Sequence, residues 1–308
     1  MKKSVLVSWK WFLSIIVFVF LFGIFTSAMG EGLIVASIPN TMNQAWVNMA
    51  KGIELECAKL GYSFLLIDPK DNAAKQMSDT EDAITKKPKF LLFTGVDKGT
   101  ATLIDMAKKK GIPTITLSRD YGGDVVAFAG EDNVALGEGI IKWYADYVKG
   151  APSKIIVITG TPGSASSGDR EKGVDNMLAK YPNIKEVARQ SGYYRREKTL
   201  PVVEDLLQRH TDVQAILGFN DEIAMGALAA AKAQNRKLVI TGIDGNDDAL
   251  QAIAAGELTM SAVYDDVEMG RKGVQLADMA LKGQTVPKKY IMHPDYVTKE
   301  NVQKFLKK

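Results

Sequence analysis

The chain has 308 residues, of which 46% are hydrophobic and 24% are charged, a balance typical of a globular protein large enough for two domains. The formal net charge is +3 and resides entirely in Lys2, Lys3 and Lys10, so no basic surplus is left to indicate nucleic-acid binding. The single cysteine, Cys57, excludes an intrachain disulfide framework, and its helical apolar context predicts a buried thiol.

The N-terminal segment has the pattern of an export signal. Two lysines precede the apolar run WFLSIIVFVFLFGIF, residues 11 to 25, and the small residues of TSAMGEG follow it. A positive flank, a short apolar core and a small-residue exit are typical of a secretory signal peptide, whose core is shorter than a membrane span. We predict that residues 1 to 30 are a signal peptide cleaved after Ala28 or Gly30 and that the mature protein is periplasmic; an uncleaved anchor is the alternative.

From residue 33 onward, short apolar runs alternate with longer amphipathic ones. Patterns such as QAWVNMAKGIELECAKLG have helical spacing, and Gly61, Gly111 and Gly150 stand where helices would stop. Apolar runs without a polar face are typical of parallel strands that helices cover on both sides. In chain order, the predicted strands are LIVASI (33 to 38), SFLLID (63 to 68), FLLFTG (90 to 95), TITLS (114 to 118), VVAFAG (125 to 130), KIIVITG (154 to 160), AILGF (215 to 219), LVITGID (238 to 244) and MSAVY (260 to 264). Nine such units are too many for one small sheet, so we predict an α/β protein with two doubly wound parallel-sheet lobes.

Polar side chains follow most of these strands, at the edge of a parallel sheet where such folds hold ligands. Helix capping explains Asn and Asp at these corners, but Arg119 and Arg170 are unfavourable near the positive end of a helix dipole. Guanidinium donors suit hydroxyl and carboxylate oxygens. Together with the aromatic residues Trp46, Tyr194 and Tyr264, they indicate a sugar-binding site.

Several stretches carry a family resemblance. KGIELECAKLGY, IPTITLSR, EDNVALGE, REKGVDNML, DVQAILGFNDEIAMGAL, ITGIDGNDDAL and MGRKGVQLADMALKG resemble the ribose-binding-protein group of periplasmic sugar-binding proteins, in order over residues 31 to 292. The resemblance implies the type 1 periplasmic binding fold, two lobes joined by a three-strand hinge with crossovers near Gly130 to Asp132, Tyr264 and His293. The implied domains are an N-terminal lobe of residues 31 to 130 and 265 to 292, and a C-terminal lobe of residues 131 to 264 and 293 to 308.

The same resemblance implies a substrate-binding protein of an ABC importer. It would hold a monosaccharide or related polyol in the cleft by closure, deliver it to an inner-membrane permease, act as a monomer without cofactor or metal, and in some cases be sensed by a chemoreceptor. A non-sugar ligand, such as a nucleoside or a sugar-like signal, is the alternative. The expected ligand-binding residues are Asn43, Trp46, Ser118, Arg119, Arg170, Tyr194, Asn220, Asp244 and Tyr264.

Three positions depart from the ribose binders. Ala45 replaces a stacking Phe, Ser118 replaces an Asp and Tyr264 replaces a Gln, which argues against ribose itself. The lost carboxylate would have been a charge-assisted acceptor, and Asp120 is a candidate substitute whose direction the sequence leaves open.

Structural roles compete with several of these assignments. The alternatives are a helix cap at Asn43, a core position for Trp46, a surface ion pair of Arg170 with Glu171 or Asp175, and Tyr193 in place of Tyr194 as the inward ring. After the seventh strand, we expect Asn220 to reach the ligand and Asp221 to cap the following helix.

Two other protein classes fit parts of the pattern. Gly163 and Gly168 have the spacing of a P-loop, but Asp169 and Arg170 stand where that loop needs Lys and Ser or Thr. The two histidines are far apart, so a zinc site has little support. A repressor with the same two-lobed core would need an N-terminal helix-turn-helix. We therefore predict neither an enzyme nor a nucleic-acid-binding protein.

Overall fold

The computed structural model describes residues 32 to 306, and the predicted signal peptide lies outside them. The strands are β1 (Gly32–Ser37), β2 (Tyr62–Ile67), β3 (Phe90–Phe93), β4 (Thr114–Leu117), β5 (Ala127–Glu131), β6 (Ser153–Thr159), β7 (Ile184–Ser191), β8 (Ala215–Gly218), β9 (Val239–Asp244), β10 (Met260–Val263), β11 (Lys289–Met292) and β12 (Asp295–Thr298). The α-helices are α1 (Gln44–Leu60), α2 (Ala73–Thr85), α3 (Thr102–Lys109), α4 (Asn133–Val148), α5 (Ala165–Leu178), α6 (Arg196–Arg209), α7 (Asp221–Ala233), α8 (Asp247–Ala255) and α9 (Asp266–Leu281). Within this part of the chain, no helix is long and apolar enough to cross a membrane.

The strands form two six-stranded sheets with related topologies. Their orders are β11-β5-β4-β3-β1-β2 and β12-β10-β9-β8-β6-β7. Within each sheet the order changes direction beside the first strand, which is the doubly wound arrangement, and helices cover both faces. The predicted fold class, two α/β lobes with parallel sheets, is confirmed.

Three strands were missed by the sequence analysis. β7, β11 and β12 all lie at sheet edges, and their sequences IKEVARQS, KYIM and DYVT include charged residues on exposed faces. An edge strand needs no continuous apolar run, which was the signal used to find strands. β12 also pairs with β10 in the antiparallel sense, so the second sheet is not wholly parallel as predicted.

The chain passes between the sheets three times, and these crossovers place several polar residues between the lobes. After β5 the chain leaves the first sheet, and α4 packs on α5 of the second lobe. After β10 the chain returns to the first lobe, where α9 packs on α1. The third passage joins β11 to β12. The residue limits of the two lobes stay a prediction.

Glycines allow both of these helix pairs to approach closely. A Cβ on Gly52 would lie 2.0 Å from the Val267 carbonyl oxygen, and one on Gly173 would lie 2.1 Å from the Val134 carbonyl oxygen. Any larger residue would force the helices apart. The close contact fixes α5 against α4, and thereby fixes the position of Arg170. In the first lobe, Cys57 is buried as predicted.

Candidate functional site

A cavity of about 440 Å³ lies between the lobes, where the carboxyl ends of strands from both sheets face each other. All nine predicted site residues line it. The complete lining consists of Asn43, Ala45, Trp46, Ser118, Arg119, Glu131, Ser166, Arg170, Tyr194, Asn220, Asp244, Tyr264 and Asp266.

The first lobe contributes a stacked pair of side chains. The Arg119 guanidinium lies over the Trp46 ring, 5.3 Å from its centroid, and donates to the carbonyl oxygens of Gly95 and Val96. Arg119 is buried, and its Nε has no hydrogen-bond partner within residues 32 to 306. Trp46 also packs against the first-lobe core, so its two predicted roles are compatible.

Asn43 likewise combines a structural role with a position on the cavity. Its Oδ1 accepts from the Ala45 backbone N–H at 2.9 Å and caps α1. A helix cap uses only the oxygen of an Asn side chain. The Nδ2 group is therefore not consumed by the cap.

Arg170 is the most completely bonded side chain at the site. Its Nε donates to Asn133 Oδ1 at 2.7 Å, and its terminal nitrogens reach the Phe219 carbonyl oxygen and, at 3.3 Å, Glu131 Oε1. The side chain is only 5% exposed. It therefore links the crossover after β5 to the end of β8.

The surface alternative for Arg170 is wrong. The carboxylates of Glu171 and Asp175 face outward and pair instead with Arg189, the latter at 2.6 Å. Arg170 points inward because α5 presents that face to α4 and β8.

Tyr194, not Tyr193, is the inward ring. Its hydroxyl lies 3.1 Å from Ser166 Oγ, and its centroid lies 5.9 Å from the guanidinium carbons of both Arg119 and Arg170. Tyr193 is half exposed. Gly160 makes room for the inward ring, because a Cβ there would lie 1.9 Å from it.

The prediction that Asp221 caps α7 is wrong. Asn220 has extended backbone geometry, and its Oδ1 accepts from the Ile223 N–H at 2.9 Å, which makes it the cap. Asp221 is fully buried, one residue inside the helix. Its carboxylate accepts from the N–H groups of Gly245 and Asn246 and from Ser261 Oγ, at 2.7–2.8 Å.

Asp221 thus ties the turn after β9 to α7. Burial raises the pKa of Asp221 to about 7, against the lowering effect of these hydrogen bonds. The turn that it holds directly follows Asp244, whose φ of 116° is unusual for a residue other than glycine. Such strain persists only where the surroundings fix the backbone.

Asp120 does not replace the carboxylate that is missing at Ser118. It accepts from Gly122 N–H and Lys289 Nζ and does not line the cavity. The carboxylate that does line the cavity beside Ser118 is that of Glu131, whose Oε1 lies 2.9 Å from Ser118 Oγ.

Glu131 and Asp266 were missed by the sequence analysis, as was Ser166. Glu131 is the last residue of β5 and Asp266 follows β10, at the first and second crossovers, so polar residues at strand ends are the signal that points to both. Burial raises the pKa of Asp266 well above its ordinary value, and neighbouring carboxylates add to the effect. The pKa of Asp244 is raised for the same reasons, with Arg170 opposing the shift.

The lobes also contact each other around the cavity. Gln44 and Asp247 exchange two hydrogen bonds, of 2.9 and 3.1 Å, across the cleft. Arg195 lies 3.4 Å from Asp71. These contacts belong to a closed arrangement of the lobes. Within residues 32 to 306, no cluster of three or more His, Cys, Asp or Glu side chains could hold a metal ion.

Comparison with known proteins gives consistent similarities. Residues 34–285 match the periplasmic binding protein domain. The chain is 33% identical over 254 residues to the ribose import binding protein of Bacillus subtilis (strain 168), with 82% of each chain covered. An ABC transporter solute binding protein from Mycobacterium smegmatis with bound glycerol superposes with a TM-score of 0.85 at 29% identity, covering 91% of this chain and 98% of that one. The Caulobacter myo-inositol binding protein bound to myo-inositol has a TM-score of 0.83 at 29% identity, with coverages of 88% and 95%.

Proposed function

Because the chain belongs to the periplasmic binding protein family, we propose that it is the substrate-binding protein of an ABC importer and binds a monosaccharide or related polyol between its lobes. The resemblance found in the sequence is confirmed by the family match and by the ribose import binding relative. The protein is not an enzyme, since its family and relatives are binding components of transporters. Similarity to glycerol-bound and myo-inositol-bound structures favours a polyhydroxy ligand over the non-sugar alternative.

The observation that carries this proposal is the cavity between the lobes, which polar side chains line at the carboxyl ends of both sheets. The rings of Trp46 and Tyr194 offer apolar faces beside hydrogen-bonding groups on the cavity wall. We propose Asn43, Trp46, Ser118, Arg119, Arg170, Tyr194, Asn220, Asp244 and Tyr264 as ligand-binding residues. A ligand that contacts both lobes favours the closed state, because only differential affinity shifts such an equilibrium.

The same proposal implies which partners the protein has and where it acts. An ABC permease would recognise the closed, ligand-loaded form, and a chemoreceptor would be a second protein that binds this form. We propose that residues 1 to 30 direct export and are removed, and that the mature protein is a monomer. Mass spectrometry of the N-terminus and light scattering of the isolated protein test these two points; an intact N-terminus would overturn the first.

The ligand proposal is tested by a thermal-shift screen across pentoses, hexoses, polyols and nucleosides, followed by calorimetry. We expect a sugar or polyol to stabilise the protein and Asp244→Asn to weaken its binding. Asp120→Asn is the matched control, because its carboxylate lies outside the cavity. Stabilisation by amino acids or inorganic anions alone would overturn the proposal.

A further inference from the structure

Four buried residues form a closed ring of hydrogen bonds at the first crossover. Ser118 Oγ donates to Glu131 Oε1 at 2.9 Å, and a terminal nitrogen of Arg170 lies 3.3 Å from the same oxygen. Arg170 Nε donates to Asn133 Oδ1 at 2.7 Å, and Asn133 Nδ2 donates to the Ser118 carbonyl oxygen at 3.1 Å. Each of the four residues is at most 6% exposed. The ring joins the ends of β4 and β5 to α4 and α5, and it holds the Glu131 carboxylate between them.

The backbone brings Ser118 and Glu131 together at neighbouring strand ends. Ser118 follows β4 in a left-handed conformation, with a φ of 59°, and Glu131 is the last residue of β5. The Ser118 N–H donates to the Ala129 carbonyl oxygen at 2.9 Å, and a Cβ on Gly130 would lie 2.7 Å from Ser118 Cα. A larger residue than glycine would push the two strand ends apart. The fold, and not only the four side chains, therefore sets the position of the carboxylate.

One oxygen of this ring lacks a hydrogen-bond donor. Among the buried side-chain nitrogen and oxygen atoms of the four residues, Glu131 Oε2 alone has no partner within residues 32 to 306. Glu131 lines the cavity, as do Ser118 and Arg170. A buried acceptor without a donor is unfavourable. Because Arg170 already supplies a countercharge to the carboxylate, what this oxygen lacks is one donor and not a further positive charge.

A ligand hydroxyl group supplies such a donor. It donates one hydrogen bond and carries no charge, whereas an ether oxygen, a fluorine atom or a carboxylate has no proton to donate. Asp244 and Asp266 also line the cavity, but their raised pKa values favour protonated carboxyl groups, which can donate to a ligand as well as accept from it. Glu131 Oε2 is thus the acceptor that distinguishes a free hydroxyl group from its derivatives.

We propose that Glu131 binds one ligand hydroxyl group directly through Oε2 and is a specificity-determining residue in addition to the expected ones. This inference rests on the proposed function and names a requirement of the same site. The sugar or polyol must carry a free hydroxyl group at the position that meets Glu131. A compound that is deoxygenated, fluorinated or O-methylated there leaves Oε2 unpaired, and a site that binds a hydroxyl group in this way rejects analogues that lack it.

Calorimetry with a series of analogues tests the inference on the wild-type protein. The parent compound is the tightest-binding pentose, hexose or polyol of the thermal-shift screen, and its monodeoxy and monodeoxyfluoro derivatives are compared position by position. At the position that meets Glu131, removal of the hydroxyl group should weaken binding about 10- to 100-fold, because a buried charged acceptor is left unpaired. Fluorine at that position should bind no better than hydrogen, because it donates no proton and the carboxylate repels it.

The variant Glu131→Gln links this position to the residue. The Gln amide oxygen can accept from Ser118 and Arg170, which puts an NH2 donor in place of Oε2. At one position only, we expect the penalty for deoxygenation to fall by roughly tenfold and fluorine to bind at least as well as hydrogen. A residue that only positioned its neighbours would change the affinity of every analogue by the same factor. Asp120→Asn is the matched control, because its carboxylate pairs with Lys289 outside the cavity, and it should leave all ratios unchanged.

The outcomes separate this inference from the proposed function. If no position of the parent compound shows the expected pattern, or if the pattern is unchanged in Glu131→Gln, the inference is overturned and the proposed function stands. The melting temperature of the ligand-free variant shows whether it folds; if it does not, Glu131→Asp, which withdraws the carboxylate, should reduce the penalty at the same position. If no pentose, hexose or polyol binds, both the inference and the proposed function fail.

Discussion

Replacing Arg170 by Met should destabilise the protein strongly, even without ligand. Arg170 is 5% exposed and donates to Asn133, to the Phe219 carbonyl oxygen and to Glu131. Methionine fills much of the aliphatic volume but supplies none of these donors. The variant leaves the Glu131 carboxylate buried without its cationic partner.

The magnitude follows from that uncompensated charge. Removing one partner of a buried ion pair costs about 3–5 kcal/mol. For a protein of this size class, each kcal/mol lowers the melting temperature by roughly 2–4 °C, so we expect a decrease on the order of 10 °C. Adding Glu131→Gln to Arg170→Met should recover part of the loss, because the two side chains are energetically coupled.

Differential scanning calorimetry of the ligand-free protein measures this effect. Arg209→Met is the matched control, since the Arg209 side chain in the same lobe is 53% exposed and pairs with the exposed Asp205. Its loss should cost no more than about 1 kcal/mol. The reasoning is refuted if Arg170→Met melts close to wild type, or if Glu131→Gln restores none of the lost stability.

Three further changes have distinct expected results. Asn220→Ser keeps an oxygen to cap α7 but removes the amide donor, so calorimetry should show weaker ligand binding with stability within about 0.5 kcal/mol of wild type; a large stability loss without an affinity change would contradict this. The raised pKa of Asp221, about 7, favours the protonated form in the folded state, so its stabilisation is full below the unfolded pKa and lost as pH rises through about 7. The melting temperature should therefore decrease from about pH 4 to about pH 7 and level off above it, and Asp221→Asn should flatten this dependence, measured with buffers matched in ionic strength. Gln44→Ala removes both cross-cleft hydrogen bonds to Asp247. A loss of about 1 kcal/mol in the free energy of closure should lower ligand affinity roughly fivefold. Lys142→Ala, on an exposed helix face, is the control.

The fold was largely predictable from the sequence because its strands are buried on both faces. Runs such as FLLF in β3 and AILG in β8 are buried at every position, and only a covered parallel sheet accommodates them. The edge strands β7, β11 and β12 escaped notice because one side of each is exposed and tolerates charge. Local composition therefore determines the inner strands and the apolar edge strand β2, but not the other three edge strands.

The family resemblance implied the nine expected site residues, and the rule that parallel strands end at a common sheet edge gave separate support for several of them. That rule brought Asn43, Arg119 and Arg170 to one cavity before any side-chain direction was known. Their role in binding stays a prediction. What the rule cannot supply is the direction of a side chain: Asp120, in the segment after β4, turns outward to Lys289.

The amino-acid sequence by itself determined the fold class, the family and the strand ends at which polar groups gather, because apolar runs and turn positions are local properties. Only the tertiary structure decided how the polar groups are used. It made Asn220 the cap and buried Asp221 beneath the turn after β9, since the start of α7 depends on packing against β9 and β10. It also brought Glu131 and Asp266, far apart in sequence, onto one cavity wall, because the crossovers that carry them converge between the lobes.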